Sequence, residues 1–178
     1  MILIINVCKE KLHYYEFVKP IEKILKKNKI KFFTRHYKEI NENDLRKADQ
    51  IIICGTSLKD CDYLKHLDRF QWIKYFEKPL LGICAGMQII SLAFGGKIKK
   101  ETEIGFYNEE FNREFLSLIG KHEVYHLHNN YMTLPKEFEQ FTDGKIPQAI
   151  KHKTKPIYGV LFHPEVRNKK MIEEFAKL

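Results

Sequence analysis

Three residues of this 178-residue chain have the types and spacing for covalent chemistry: a cysteine set between glycines, and a histidine followed two places later by glutamate. The cysteine lies in Lys78-Pro79-Leu80-Leu81-Gly82-Ile83-Cys84-Ala85-Gly86-Met87-Gln88. Its apolar run reads as a buried strand, and Gly-x-Cys-x-Gly then leads into a helix. A sharp strand-to-helix turn of this kind exposes a nucleophile at its apex. The flanking glycines remove Cβ atoms where the backbone folds tightly and substrate comes close. A helix starting at the sulfur brings its first amides to bear, and helix N-termini favour negative charge.

The histidine lies in Ile157-Tyr158-Gly159-Val160-Leu161-Phe162-His163-Pro164-Glu165-Val166. Proline disfavours helix for the residue before it, so His163 is expected in extended chain. Residues two apart in extended chain point to one side. Glu165 can then accept a hydrogen bond from one ring nitrogen of His163, leaving the other to face a thiol. Cys84, His163 and Glu165 would be nucleophile, general base and orienting group. Alone, a buried cysteine is more often inert core, and a His-Pro pair more often only ends a strand. Found together, each after a strand, they favour a site.

These segments resemble those of class I glutamine amidotransferases, glutaminases with a Cys-His-Glu triad. Gly82-Ile-Cys84-Ala-Gly86-Met-Gln88, followed by Gly95-Gly96, is similar to the family's nucleophile segment. Tyr158 to Val166 is similar to its His/Glu segment, and the interval of about eighty residues fits. Acyl transfer from glutamine passes through oxyanions that fixed backbone N–H groups stabilise. One donor would be the amide of Ala85. The second would come from Ile53-Cys54-Gly55-Thr56-Ser57, where the family usually carries a glycine-rich run. Here only Gly55 is glycine, and Thr56, being β-branched, resists positive φ; the choice between Gly55 and Thr56 stays open. The family's substrate-contacting glutamine falls on Gln88, one helical turn after Cys84 and on its face. His128-Asn129-Asn130-Tyr131 resembles the loop that holds the amino-acid end of the substrate, which gives Asn130 and Tyr131 as contacts.

The resemblance implies hydrolysis of glutamine to glutamate and ammonia, with no cofactor and no metal. No P-loop, nucleotide fingerprint or acceptor domain is present, so the ammonia would pass to a separate synthetase subunit. A cysteine peptidase or γ-glutamyl hydrolase could use the same triad, and a non-catalytic glutamine-sensing subunit could keep the same pocket.

His122-Glu123-Val124-Tyr125-His126 matches the H-E-x-x-H signature of zinc proteases, and His128 adds another imidazole. That signature works only on a helix, where both histidines share a face. Val124, Tyr125 and the histidines form helix poorly, and Asn129-Asn130 follows. A strand is expected, with His122, His126 and His128 on one face and Glu123 on the other, which rules out a zinc-protease helix and leaves a metal site on that face open.

The elements that must position these residues alternate through the first half. Residues 2–6, 30–34, 50–54 and 79–83 read as strands, and 16–28, 42–47, 58–76 and 85–94 as helical. The second half reads as short strands at 97–99, 110–115, 123–128, 148–152 and 156–162, with a helix at 168–177. This order predicts an α/β fold: a three-layer, doubly wound, mostly parallel sheet flanked by helices, with a small antiparallel β region added in the second half. Ligands in such sheets bind at the carboxyl ends of strands, where Cys84 and Gly55 both fall.

Length indicates one domain over residues 1–178. No apolar stretch approaches the ~20 residues of a membrane span, and residues 1–6 read as a core strand rather than a signal peptide. Cys8, Cys54, Cys61 and Cys84 have no paired spacing, and a nucleophilic thiol suits a reducing, cytoplasmic setting. The net charge of +8 comes mostly from scattered lysines, only five of the 31 basic residues being arginine. Lysines interleaved with glutamates mark a solvated surface rather than a nucleic-acid face.

Overall fold

A computed structural model describes all residues 1–178. Five strands form the parallel part of one sheet: β1 (Ile2–Asn6), β2 (Phe32–His36), β3 (Gln50–Ile53), β4 (Leu80–Ile83) and β9 (Ile157–Val160). Two more, β8 (Ala149–His152) and β7 (Phe138–Gln140), join it antiparallel, so the order is β2-β1-β3-β4-β9-β8-β7. Strands buried on both faces have no polar side to offer, which is why β1, β3, β4 and β9 are almost continuously apolar. Alternate residues serve opposite layers. Ile2 and Ile4 pack with α1 (Lys19–Lys27) and α4 (Lys169–Phe175), whereas Leu3 and Ile5 pack with α3 (Ala85–Ala93). The expected three-layer, mostly parallel fold is what forms.

Local sequence sets several boundaries. Pro20 opens α1, where its missing N–H is not needed. A π-helical turn, Tyr14–Val18, precedes it. The short helix α2 (Glu42–Lys47) starts at a capping box: Asn41 Oδ1 accepts from the N–H groups of Asn43 and Asp44, and Asp44 accepts from the N–H of Asn41. Strand β2 begins two residues later than the sequence suggests, because Lys29 turns the chain with φ 58°.

Two expectations need correction. Residues 58–76 do not make a regular helix; Asp62–Tyr75 is 3₁₀-helical and broken at His66 (φ −131°, ψ 33°). The short strands expected at 97–99, 110–115 and 123–128 are parts of one long hairpin, β5 (Ile98–Phe115) and β6 (Leu118–Met132). Most of β5 is exposed, so burial imposes little apolar alternation on it and the strand signal is faint. Leu116 and Ser117, both at positive φ, close the hairpin. Strand β7 is an addition to the expected elements. No helix is long and apolar enough to cross a membrane.

Candidate active site

Cys84 stands between β4 and α3 with φ 48° and ψ −103°, a conformation L-residues rarely adopt. Holding it there costs about 1–3 kcal/mol, which the surrounding structure must offset. Its N–H donates to the carbonyl of Val160 at 2.7 Å, and its carbonyl accepts from the N–H of Gln88 at 3.0 Å. Glycine at 86 follows from packing, since a Cβ there would lie 2.2 Å from the Ile53 carbonyl oxygen. The start of α3 is thus pressed against β3, and the thiol is held at the carboxyl end of the sheet.

Just beyond β9, His163 and Glu165 come together as expected. Nδ1 of His163 lies 2.7 Å from Oε1 of Glu165, and each side chain is only 1% exposed. The main-chain N–H of His163 donates to the Tyr125 carbonyl at 2.8 Å, and its ring packs against Phe17. Burial pulls the imidazole pKa down, but the charges of Glu165 and Cys84 outweigh it and hold the pKa well above the usual histidine value. Nε2 has no hydrogen-bond partner in the resting site. The thiol sits instead 3.7 Å from the carbonyl oxygen of Leu127 on β6.

The other cysteines are poor nucleophiles. Burial pushes the Cys8 thiol up to about 11 and raises that of buried Cys54 well above its ordinary value. All four cysteines are free.

Gly55 is required for a reason the sequence does not reveal. Its φ is not positive; a Cβ there would lie 2.6 Å from Cε1 of His163 and 3.3 Å from the Cβ of Cys84. Thr56 also avoids positive φ, so its β-branch carries no strain, and its hydroxyl donates to Asp60 at 2.7 Å. The N–H groups of Gly55 and Thr56 make no hydrogen bond within the protein. The Ala85 amide opens α3, where a helix has no acceptor of its own. The N–H groups of Gly55, Thr56 and Ala85 are therefore free to donate to a bound group.

Gln88 lines a cavity beside Cys84 together with Thr56, Tyr63, His128 and Asn130. Its amide is already engaged: Oε1 accepts from the Tyr63 hydroxyl at 2.5 Å, and Nε2 donates to the Asn130 carbonyl at 3.1 Å. Asn130 thus reaches this cavity through its carbonyl, whereas Tyr131 is not among the residues that line it; Tyr131 is half-buried and packs against the apolar cluster that includes α3. Tyr63 and Leu127 escape sequence reasoning. Tyr63 sits in an irregular 3₁₀ stretch and Leu127 acts through a carbonyl, so neither has a side-chain signature. The cavity measures about 20 Å³, room for little more than one water. A larger hollow nearby, lined by Lys9, His13, Cys61 and Lys65 among others, includes neither Cys84 nor His163.

The H-E-x-x-H segment lies on β6, as expected of a strand. His122 contacts the Ile119 backbone and meets Phe111 edge to face, whereas His126 and His128 are buried.

An α/β sheet with a cysteine at a strained strand-to-helix turn on its carboxyl edge, and a buried His-Glu pair just beyond β9, has the residue types that cysteine-dependent acyl transfer uses. Residues 12–177 match the family Glutamine amidotransferase class-I, and the chain belongs to it. Among curated relatives, the glutamine-hydrolyzing GMP synthase subunit of Methanobrevibacter smithii is 35% identical over 108 residues, 55% of this chain and 56% of that protein. Its counterpart in Methanocaldococcus jannaschii is 38% identical over 107 residues, 56% of this chain and 57% of that protein. The match spans little more than half the length of these relatives. A crystal structure of a Thermoplasma acidophilum protein, proposed to be a GMP synthase subunit, shares the fold, with TM-score 0.85 and 24% identity over 99% of this chain and 93% of that one.

Proposed function

We propose that this chain is a glutaminase subunit that hydrolyses glutamine to glutamate and ammonia. The observation that carries the reading is the buried His163–Glu165 pair at 2.7 Å behind a strained cysteine elbow. Cys84, its proton passed to His163, attacks the side-chain amide carbon of glutamine. The Ala85 amide, with that of Gly55 or Thr56, holds the oxyanion. His163, kept in orientation by Glu165, gives its proton to the leaving nitrogen, and ammonia departs. His163 then takes a proton from water, whose oxygen attacks the thioester, and returns that proton to the departing Cys84 sulfur as glutamate leaves.

Ammonia released into water is protonated and lost to the acceptor, so a separate synthetase subunit would take it directly. The relatives' names, together with Gly-Met-Gln at residues 86–88 and Gly-Gly-Lys at 95–97, favour the ATP-pyrophosphatase subunit of GMP synthase as that partner. The catalytic thiol among four free cysteines suits the cytoplasm. The small cavity, and the contact of the thiol with the Leu127 carbonyl, support low turnover in the isolated chain.

Glutamine, γ-glutamyl and peptide substrates assayed side by side, with and without a GMP synthase ATP-pyrophosphatase subunit, test this. Ammonia release from glutamine alone, rising with the partner, is the expected result. Preferential cleavage of peptides or γ-glutamyl chains would replace it with a hydrolase reading, and ligand binding without turnover would replace it with a sensing role.

A further inference from the structure

Pairing of β5 with β6 sets Glu103 directly opposite His128 and Gly105 opposite His126. Side chains two apart on a strand share a face, so both imidazoles and the Glu103 carboxylate converge, with no side chain from Gly105 between them. One ligand atom from each lies within 4.8 Å of the others. His126 and His128 are 0% and 2% exposed.

The contacts in this cluster are close without being hydrogen bonds. Oε2 of Glu103 lies 2.9 Å from Nε2 of His128 and 3.8 Å from Nδ1 of His126. Yet neither nitrogen has a hydrogen-bond partner, and Nδ1 of His128 has none either. Buried polar atoms are nearly always satisfied. Donors that approach one another without bonding are arranged as ligands around a common centre; at a metal bound at ~2.0–2.2 Å, neighbouring ligands lie at such separations. The outer contacts agree. Nε2 of His126 meets Oε1 of Glu109 at 3.1 Å, the carboxylate partner that orients a ligating imidazole. Nε2 of Gln148 donates to Oε2 of Glu103 at 2.6 Å and fixes that carboxylate.

We infer that Glu103, His126 and His128 form a binding site for a divalent transition cation of zinc type, the ion that two imidazoles and a carboxylate best suit. It differs from the H-E-x-x-H signature: His122 takes no part, and the third ligand comes from the opposite strand. The ion would pin β6 to β5 beside the catalytic centre. His128 lines the substrate cavity, Leu127 holds the Cys84 thiol, and His126 packs against Phe162, next to His163. The ligands hold the cation whether or not the chain turns over glutamine.

Untagged full-length protein, stripped with a chelator and titrated calorimetrically with Zn²⁺, tests the site. One ion per chain is expected, together with a higher melting temperature. Binding should be lost in His126→Ala and Glu103→Gln, weakened roughly 10–100-fold in Glu109→Gln, and unchanged in His122→Ala. Histidine-ring ¹⁵N spectra of the wild-type protein make the test independent of variant folding: Zn²⁺ should shift the His126 and His128 resonances and leave His122 and His152 in place. Absence of stoichiometric uptake, uptake unaffected by both ligand variants, or unshifted His126 and His128 rings would overturn the assignment.

Discussion

Both the triad and the β5–β6 hairpin place buried histidine beside carboxylate, and they do it in opposite ways. His163 and Glu165 are two residues apart, held by a proline between them, and meet in a hydrogen bond of 2.7 Å. Glu103 and His128 are 25 residues apart and meet only because the hairpin register pairs them, at 2.9 Å without bonding. The first is a closed hydrogen-bonded pair. The second has open valences. A histidine-carboxylate contact is therefore read from what its atoms leave unsatisfied.

The electrostatics diverge too. Against the effect of burial, the charges of Glu165 and Cys84 raise the His163 pKa well above its ordinary value. Glu103 is lowered, chiefly by its contact with His128, with burial opposing and Gln148 assisting. A raised histidine contributes stability that is complete below its unfolded pKa of about 6.5 and lost as pH climbs through the folded value. A lowered carboxylate contributes stability above its unfolded value of about 4.3 that is lost as pH falls through the folded one.

The largest effect that sharpens the contrast is on turnover. His163→Ala should lower glutamine hydrolysis by roughly 10²–10⁴-fold, whereas His122→Ala, on the exposed part of the hairpin, should leave it unchanged in the same ammonia assay. Gly55→Ala is expected next. Its Cβ would lie 2.6 Å from the His163 ring, and displacing a catalytic group by about 1 Å costs ~10²-fold in rate. Its overpacking should also lower stability by about 1–3 kcal/mol in urea titrations. Unchanged kinetics in this variant would mean that the ring is not held where the triad needs it.

The pH prediction is smaller in effect. The difference in urea midpoint between wild-type protein and His163→Gln should shrink as pH rises above neutrality, and that between wild type and Glu103→Gln should shrink as pH falls below about 4.3. A flat difference in either series would break the comparison for that region. Smallest is Asn41→Ala, which removes the α2 cap, in contact with neither region, and should cost about 1 kcal/mol with no change in turnover.

What the sequence discloses follows the same division. The elbow at Cys84, the pairing of His163 with Glu165 and the apolar strands of the parallel sheet are legible because each is local. Spacing along a few residues carries them. The end of β6 reads as a loose loop and the hairpin as scattered strands, because its exposed residues need no apolar alternation. Tyr131 therefore reads as a substrate contact in the sequence, whereas in the structure it is half-buried against the apolar cluster and does not line the small cavity beside Cys84. Tyr63, Leu127 and Glu103 reach their places through tertiary packing and cross-strand register, which no local spacing records. Gly55 stands out for its backbone freedom, yet the reason for glycine there is the ring of His163.

Ammonia release from glutamine by Cys84→Ala protein, measured beside wild type with the synthetase partner present, tests the central claim most directly. A covalent route through Cys84 predicts that release falls to background while the variant keeps the wild-type circular dichroism spectrum. Continued ammonia release by the folded variant would contradict it.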